Sequence, residues 1–145
     1  MLPNVTILPN ITGAEEAETR GPKTWEPFIV QEPSKEKARV GETIVLGCQF
    51  FSPKGSSLSD LTVDWYREDG KHTLHFMENN KTLVANHSRA FISGDMSIGV
   101  ASLTILNVTT DDHGIYYCQV TLPSGMKVKG EGVKVRIRVL HGEIL

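Results

Sequence analysis

The stretch Asp112-His113-Gly114-Ile115-Tyr116-Tyr117-Cys118-Gln119-Val120-Thr121 decides how this chain folds. Successive side chains of a strand point to opposite faces, so Tyr116, Cys118 and Val120 share one side and Tyr117, Gln119 and Thr121 the other. One side is apolar and the other polar, the pattern of a strand packed on a single face. Working outward, the same period of two groups Ile44, Leu46, Cys48 and Phe50, then Val63 and Trp65, then Leu103 and Ile105. Val133, Val135, Ile137 and Val139 continue it, and these inward positions predict the core. From Phe28 onward, short β-rich runs alternate with turn residues at the spacing of an all-β sandwich. Glu68-Asp69-Gly70-Lys71 reads as a tight hairpin joining the Trp65 strand to Thr73-Leu74-His75-Phe76, with Asp-Gly accepting positive φ.

Val40-Gly41-Glu42-Thr43-Ile44-Val45-Leu46-Gly47-Cys48, Trp65-Tyr66-Arg67 and Ala101-Ser102-Leu103-Thr104-Ile105-Leu106-Asn107-Val108-Thr109 complete a recognisable series with the Asp-x-Gly-x-Tyr-x-Cys motif that ends at Cys118. Over residues 28 to 140 the chain resembles the immunoglobulin V-set domains. The resemblance implies an immunoglobulin-like β-sandwich with one inter-sheet disulfide, Cys48 to Cys118, against which Trp65 packs. It also implies that Tyr116 pins the adjoining corner and that Arg89 forms a structural salt bridge with Asp112. A constant-type domain has no room for Met77 to Val100, whereas a variable-type domain uses it for an edge strand C″, here Leu83-Val84, and a strand D opened by Arg89. Gly130-Glu131-Gly132 resembles the glycine bulge of antigen-receptor joining segments, but Val133 replaces the usual threonine and no aromatic precedes it. That departure favours a germline-encoded receptor. Among V-set proteins the chain resembles the membrane-distal domains of leukocyte surface proteins: signal-regulatory proteins, natural cytotoxicity triggering receptors and butyrophilin-like ligands.

With 145 residues and 39% hydrophobic content, the chain has room for one ordinary domain. Residues 1–27 read as a flexible, glycosylated lead-in, with the repeat Leu2-Pro3-Asn4-Val5-Thr6 and Leu8-Pro9-Asn10-Ile11-Thr12. The last strand of a preceding domain is the alternative, carried by Val5, Ile7 and Ile11. Trp25 is the residue expected to pack back onto the sandwich. Residues 28–140 are the V-set domain and 141–145 the start of a linker. A net charge of −2 predicts no concentrated basic surface, and so neither nucleic acid nor an anionic membrane as partner. Lys127, Lys129, Lys134, Arg136 and Arg138 alternate at strand spacing and read as a solvated face that discourages edge pairing, with an anion site as the alternative.

Sequons at Asn4, Asn10, Asn80, Asn86 and Asn107 acquire glycans only along the secretory route. They point to the extracellular side of the plasma membrane, with a secreted form as the alternative. A disulfide closing a loop of about 70 residues in that oxidising setting would stabilise the fold by about 4 kcal/mol. The sequence shows neither an apolar run of membrane-spanning length nor a signal-peptide start, so leader and membrane anchor are expected beyond the ends of this piece.

Enzyme chemistry is not expected, nor is a cofactor or a metal. His72 and His75 are three apart on an extended chain and so point to opposite faces. His113 falls in the tyrosine-corner turn, where exposed polar residues are routine. Ser52-Pro53-Lys54-Gly55-Ser56-Ser57 lacks the first glycine, the lysine-hydroxyl pair and the helix of a phosphate loop. Two cysteines are too few for a structural zinc site.

Alternation places Asp64, Tyr66, Tyr117, Gln119 and Thr121 on the outer face of the front sheet, made of strands G, F, C and C′. Tyrosine offers a large rigid surface at little entropic cost, so this face is the expected partner-binding site. The F to G turn, Leu122-Pro123-Ser124-Gly125-Met126, joins it, since loops carry recognition and Met126 adapts to irregular partners. Alternatively Tyr66 and Tyr117 merely cover one another. The implied partner is a protein ligand or receptor on another cell, with no small-molecule substrate. Homophilic or heterophilic adhesion, with a homodimer, is the rival, and a glycosylated spacer a further one. Asn107, just after strand E, and Asn80 and Asn86, near the C″ and D edge, are expected to leave the front sheet open.

Overall fold

The computed structural model describes residues 25–78, 81–82 and 89–139. Among these the strands in chain order are β1 (Phe28–Glu32), β2 (Lys35–Arg39), β3 (Ile44–Phe51), β4 (Thr62–Glu68), β5 (Thr73–Glu78) and β6 (Lys81–Thr82). They are followed by β7 (Ala90–Ser93), β8 (Ser102–Ile105), β9 (Gly114–Thr121), β10 (Lys127–Lys129) and β11 (Val133–Arg138). One sheet has the order β1-β3-β8-β7 and the other β2-β11-β9-β4-β5-β6, with β10 also paired to β9. In the lettering used above, β4 is strand C, β5 is C′, β9 is F, and β10 with β11 form G. Pairing among the described strands is antiparallel except for β2 with β11, which run parallel with Lys134 opposite Lys35 and Arg138 opposite Arg39.

The alternation of the sequence becomes the interior. Leu46, Cys48, Phe50 and Leu103 from one sheet face Val63, Trp65, Tyr116, Cys118 and Val133 from the other, all buried. The Cys48–Cys118 disulfide joins β3 to β9 with Cα atoms 6.3 Å apart. Trp65 is completely buried, and its indole nitrogen donates to the Ala101 carbonyl at 2.7 Å, which satisfies the one polar atom that burial would otherwise penalise. Truncating such a side chain costs about 3–5 kcal/mol, part of it from the cavity left behind. Phe76 of β5 stacks on Tyr116 with ring centroids 5.5 Å apart. Val139 departs from the expected core: it is 38% exposed because β11 ends at Arg138, and alternation has no meaning past the last ladder pair. The short β6 pairs Thr82 with Met77 and Lys81 with Glu78. The expected C″ residues Leu83-Val84 lie outside the described residues, as do Asn4, Asn10, Asn80, Asn86 and the segments 1–24 and 140–145.

Between β1 and β2 the chain crosses from one sheet to the other through Pro33, whose peptide bond is cis. Gln31 sits at this crossing, 8% exposed, and the sequence gives no hint of its role. Its Nε2 donates to the Tyr116 carbonyl at 3.0 Å. Its Oε1 accepts from the backbone N–H of Cys118 at 3.2 Å and of Gly132 at 3.0 Å. One carboxamide therefore satisfies backbone groups on both β9 and the turn into β11. The Gly-Glu-Gly motif makes room for it: a β-carbon on Gly130 would overlap the Gln31 side chain, and Gly132 adopts φ +95°. The bulge read from the sequence is thus the seat of a buried side chain.

At the base of the sandwich the Tyr116 hydroxyl donates to the Asp112 carbonyl at 2.7 Å. Burial, the largest cause, pushes the Tyr116 phenol up to about 12. The Asp112 carboxylate, 2% exposed, accepts from Arg89 at 3.1 and 3.3 Å and from the Thr109 backbone N–H at 2.7 Å. Arg67 approaches the same carboxylate at 3.9 Å. Two guanidiniums and a capping N–H compensate a carboxylate held out of water. Arg89 also ties down the Leu106 and Asn107 carbonyls at 2.7 and 2.9 Å. His113 is exposed but not idle, for its Nδ1 accepts the Ile137 backbone N–H at 3.2 Å.

Candidate interaction surface

The register of the front sheet sets which side chains meet on its outer face. Tyr66 on β4 lies opposite Tyr117 on β9, and Asp64 opposite Gln119. A bulge between Trp65 and Tyr66 then brings His75 of β5 opposite Tyr66. The outcome is a continuous ladder across four strands. The Tyr66 ring lies 5.5 Å from His75 and 5.4 Å from Tyr117, the latter pair nearly parallel at 29°. The Lys129 ammonium of β10 caps the ladder, 4.1 Å from the Tyr117 centroid and 5.7 Å from that of Tyr66. A polar contact with Tyr66, the largest cause, holds the Lys129 pKa above the ordinary lysine value. A cation over an aromatic face gains about 0.5–1 kcal/mol at such an exposed site.

Asp64, Tyr66, Tyr117, Gln119 and Thr121 are all half-buried and lie on this one face, and Tyr66 and Tyr117 do cover one another. The sequence missed His75 and Lys129 as members of the ladder. Sequence spacing only turns His75 away from His72, and it reads Lys129 as one of several solvated strand charges. Among the described residues no group of three or more His, Cys, Asp or Glu could hold a metal ion. His72 lies outside the ladder, 3.8 Å from the Asp69 carboxylate in the hairpin turn. In that turn backbone N–H groups of His72 and Lys71 donate to Asp69 and lower its pKa.

Met126 belongs to a different part of the surface. The loop between β3 and β4 and the turn between β9 and β10 meet around a cleft of about 940 Å³, lined by Trp25, Phe50, Pro53, Leu61, Leu122 and Met126. The turn is closed by hydrogen bonds from Leu122 N–H to Met126 O at 2.8 Å and from Gly125 N–H to Leu122 O at 2.9 Å. Trp25 and Met126 are 47% and 45% exposed, large apolar side chains offered at the same end of the sandwich. Trp25 packs back only in part, with its ring 5.6 Å from that of Phe28, which in turn stacks on Phe51 at 5.0 Å. The opposite sheet also exposes Val30, Val45 and Phe91. Asn107 lies in the connection after β8, exposed, at φ +49°. No helix among the described residues is long and apolar enough to cross a membrane.

Comparison with known proteins agrees with this architecture. The chain is 30% identical over 112 residues to an Ig kappa chain V region of Oryctolagus cuniculus, covering 76% of this chain and 96% of that one. It is 38% identical over 92 residues to myelin protein zero-like protein 3 of Bos taurus, covering 58% of this chain and 38% of the relative. It is 23% identical over 111 residues to the human junctional adhesion molecule-like protein, covering 72% of this chain and 28% of the relative. The chain therefore spans well under half the length of the last two. Residues 31–138 match the family model of the immunoglobulin V-set domain, and the chain belongs to that family of non-enzymatic recognition and adhesion domains.

Proposed function

We propose that this is the extracellular V-set recognition domain of a cell-surface immune receptor or ligand, binding a protein on another cell through the front sheet and the turn between β9 and β10. The observation that carries the reading is the ladder His75, Tyr66, Tyr117 and Lys129, a rigid aromatic strip flanked by Asp64 and Gln119. Half-exposed tyrosines already held in place lose little freedom on binding, which is why such side chains dominate interface energy. A labelled tetramer of the secreted, glycosylated chain, screened against displayed ectodomains, identifies the partner. Tyr66→Ala or Tyr117→Ala is then expected to cost about 2 kcal/mol, roughly thirtyfold in Kd. Undiminished affinity after replacing Tyr66, Tyr117 and Gln119 together, in protein with normal thermal stability, would sink the reading and direct attention to the cleft beside Met126.

The second reading is adhesion, favoured by the likeness to a junctional adhesion molecule-like protein. Here the front sheet pairs with a like domain. Sedimentation that depends on concentration, and that Tyr66→Ala abolishes, selects this reading over a heterologous ligand.

A further inference from the structure

Parallel pairing of β2 with β11 creates a feature the sequence conceals. Lys134 lies opposite Lys35, Arg136 opposite Lys37, and Arg138 opposite Arg39. All six are exposed, while Ala38, Val135 and Ile137 between them face the core and Glu36, opposite Val135, is half-buried. Six of the chain's fifteen Lys and Arg thus form two adjacent rows on one face of the strand pair, so the expectation that a net charge of −2 leaves no concentrated basic surface is corrected. Rows lie about 4.8 Å apart, and neighbours within a row are about 6.6 Å apart. Arg39 shares an ion pair with Glu42 at 3.9 Å. No ion pair is found for the other five among the described residues. Glu68 and Asp69 border the array across a shallow hollow of about 340 Å³ that Lys134 and Arg136 also line.

Like charges directly opposite one another weaken a sheet. Protection of an edge would explain cations on β2, but not on β11, which is paired on both sides. Solubility would be served as well by mixed signs. The array has no enclosing walls to strip water from a small anion, and its lattice is regular and open, which suits an extended polymer that releases counterions along its length. A disulfide-stapled domain works in an oxidising exterior, where nucleic acid and the acidic cytoplasmic leaflet are not encountered.

We propose that the β2–β11 face binds a linear sulfated polysaccharide, with Lys35, Lys37, Lys134 and Arg136 as the principal contacts. The test is titration of the secreted chain with heparin oligosaccharides of defined length at several salt concentrations. Binding should weaken with salt, with a log–log slope near −3 for four charges at about −0.7 each. Replacing Lys35, Lys37, Lys134 and Arg136 together by Gln should weaken it at least about tenfold and flatten the slope, with thermal stability unchanged or raised as repulsion is relieved. Lys127→Gln, outside the array, should change affinity by less than about twofold. Heparin affinity unchanged in the quadruple variant would overturn the proposal. So would equal or tighter binding to hyaluronan, polyglutamate or phosphatidylserine vesicles, which would reassign the face to carboxylate polymers, acidic polypeptides or membranes.

Discussion

Gln31 and Gly130 are complementary in volume: the carboxamide of one fills the space that a β-carbon on the other would need. Gly130→Ala should therefore cost about 1–3 kcal/mol by overpacking. Gln31→Ala should cost about 3 kcal/mol, because it leaves the Cys118 and Gly132 N–H groups and the Tyr116 carbonyl without their partner. Since both losses act through one site, the double variant should recover about 1 kcal/mol relative to their sum. Denaturant unfolding of the four proteins measures this, and strict additivity would show that the two do not meet.

Asp112 depends on two guanidiniums, and they depend on it. Asp112→Asn should destabilise by about 3–5 kcal/mol, because Arg67, its side chain only 12% exposed, would be left as a largely buried cation without its carboxylate. Arg89→Lys should cost less, since Arg67 and the Thr109 N–H still hold the carboxylate. Equal losses in urea melts would mean that Arg67 contributes nothing.

Alkaline pH provides a third test. Tyr116 is held neutral by burial, from an ordinary value of 10.0 up to about 12. The folded state thus takes the phenol's proton more tightly than the unfolded chain. Its contribution, about 3 kcal/mol, is complete below pH 10 and disappears as pH rises towards 12. Phenolate absorbance should accordingly show one of the three tyrosines ionising late and together with unfolding. Tyr116→Phe should remove that late step.

The Lys129 ammonium offers a local probe of the ladder. Tyr66→Phe keeps the ring against Tyr117 but removes the hydroxyl that raises the Lys129 pKa, so that pKa should fall towards the ordinary lysine value. Titration of methylated lysines by NMR reads the shift, and an unchanged Lys129 would mean that the ring faces alone hold it.

Much of the fold was legible because its information is local. Alternation in β3, β4, β9 and β11 marks buried faces, and Cys48, Trp65 and the Asp112-to-Cys118 motif fix which faces meet. Asp64, Tyr66, Tyr117, Gln119 and Thr121 follow from the same parity. What escaped depends on pairing between distant segments. Lys35-Glu36-Lys37-Ala38-Arg39 has a single apolar residue and shows no strand pattern, so neither β2 nor the charge array it completes could be read. Gln31 looks like any polar strand residue until β1 is laid beside β9. Lys129 meets Tyr117 only because β10 pairs with β9, and His75 meets Tyr66 only because a bulge shifts the register of β5.

The parallel run of β2 beside β11 has a mechanical consequence. The chain enters β2 at Lys35 and leaves β11 at Arg138, at opposite ends of five matched residue pairs. Tension that draws these two ends apart pulls the strands lengthwise past each other. The hydrogen bonds between them must then yield together instead of peeling one by one, so this strand pair resists shear along its own length.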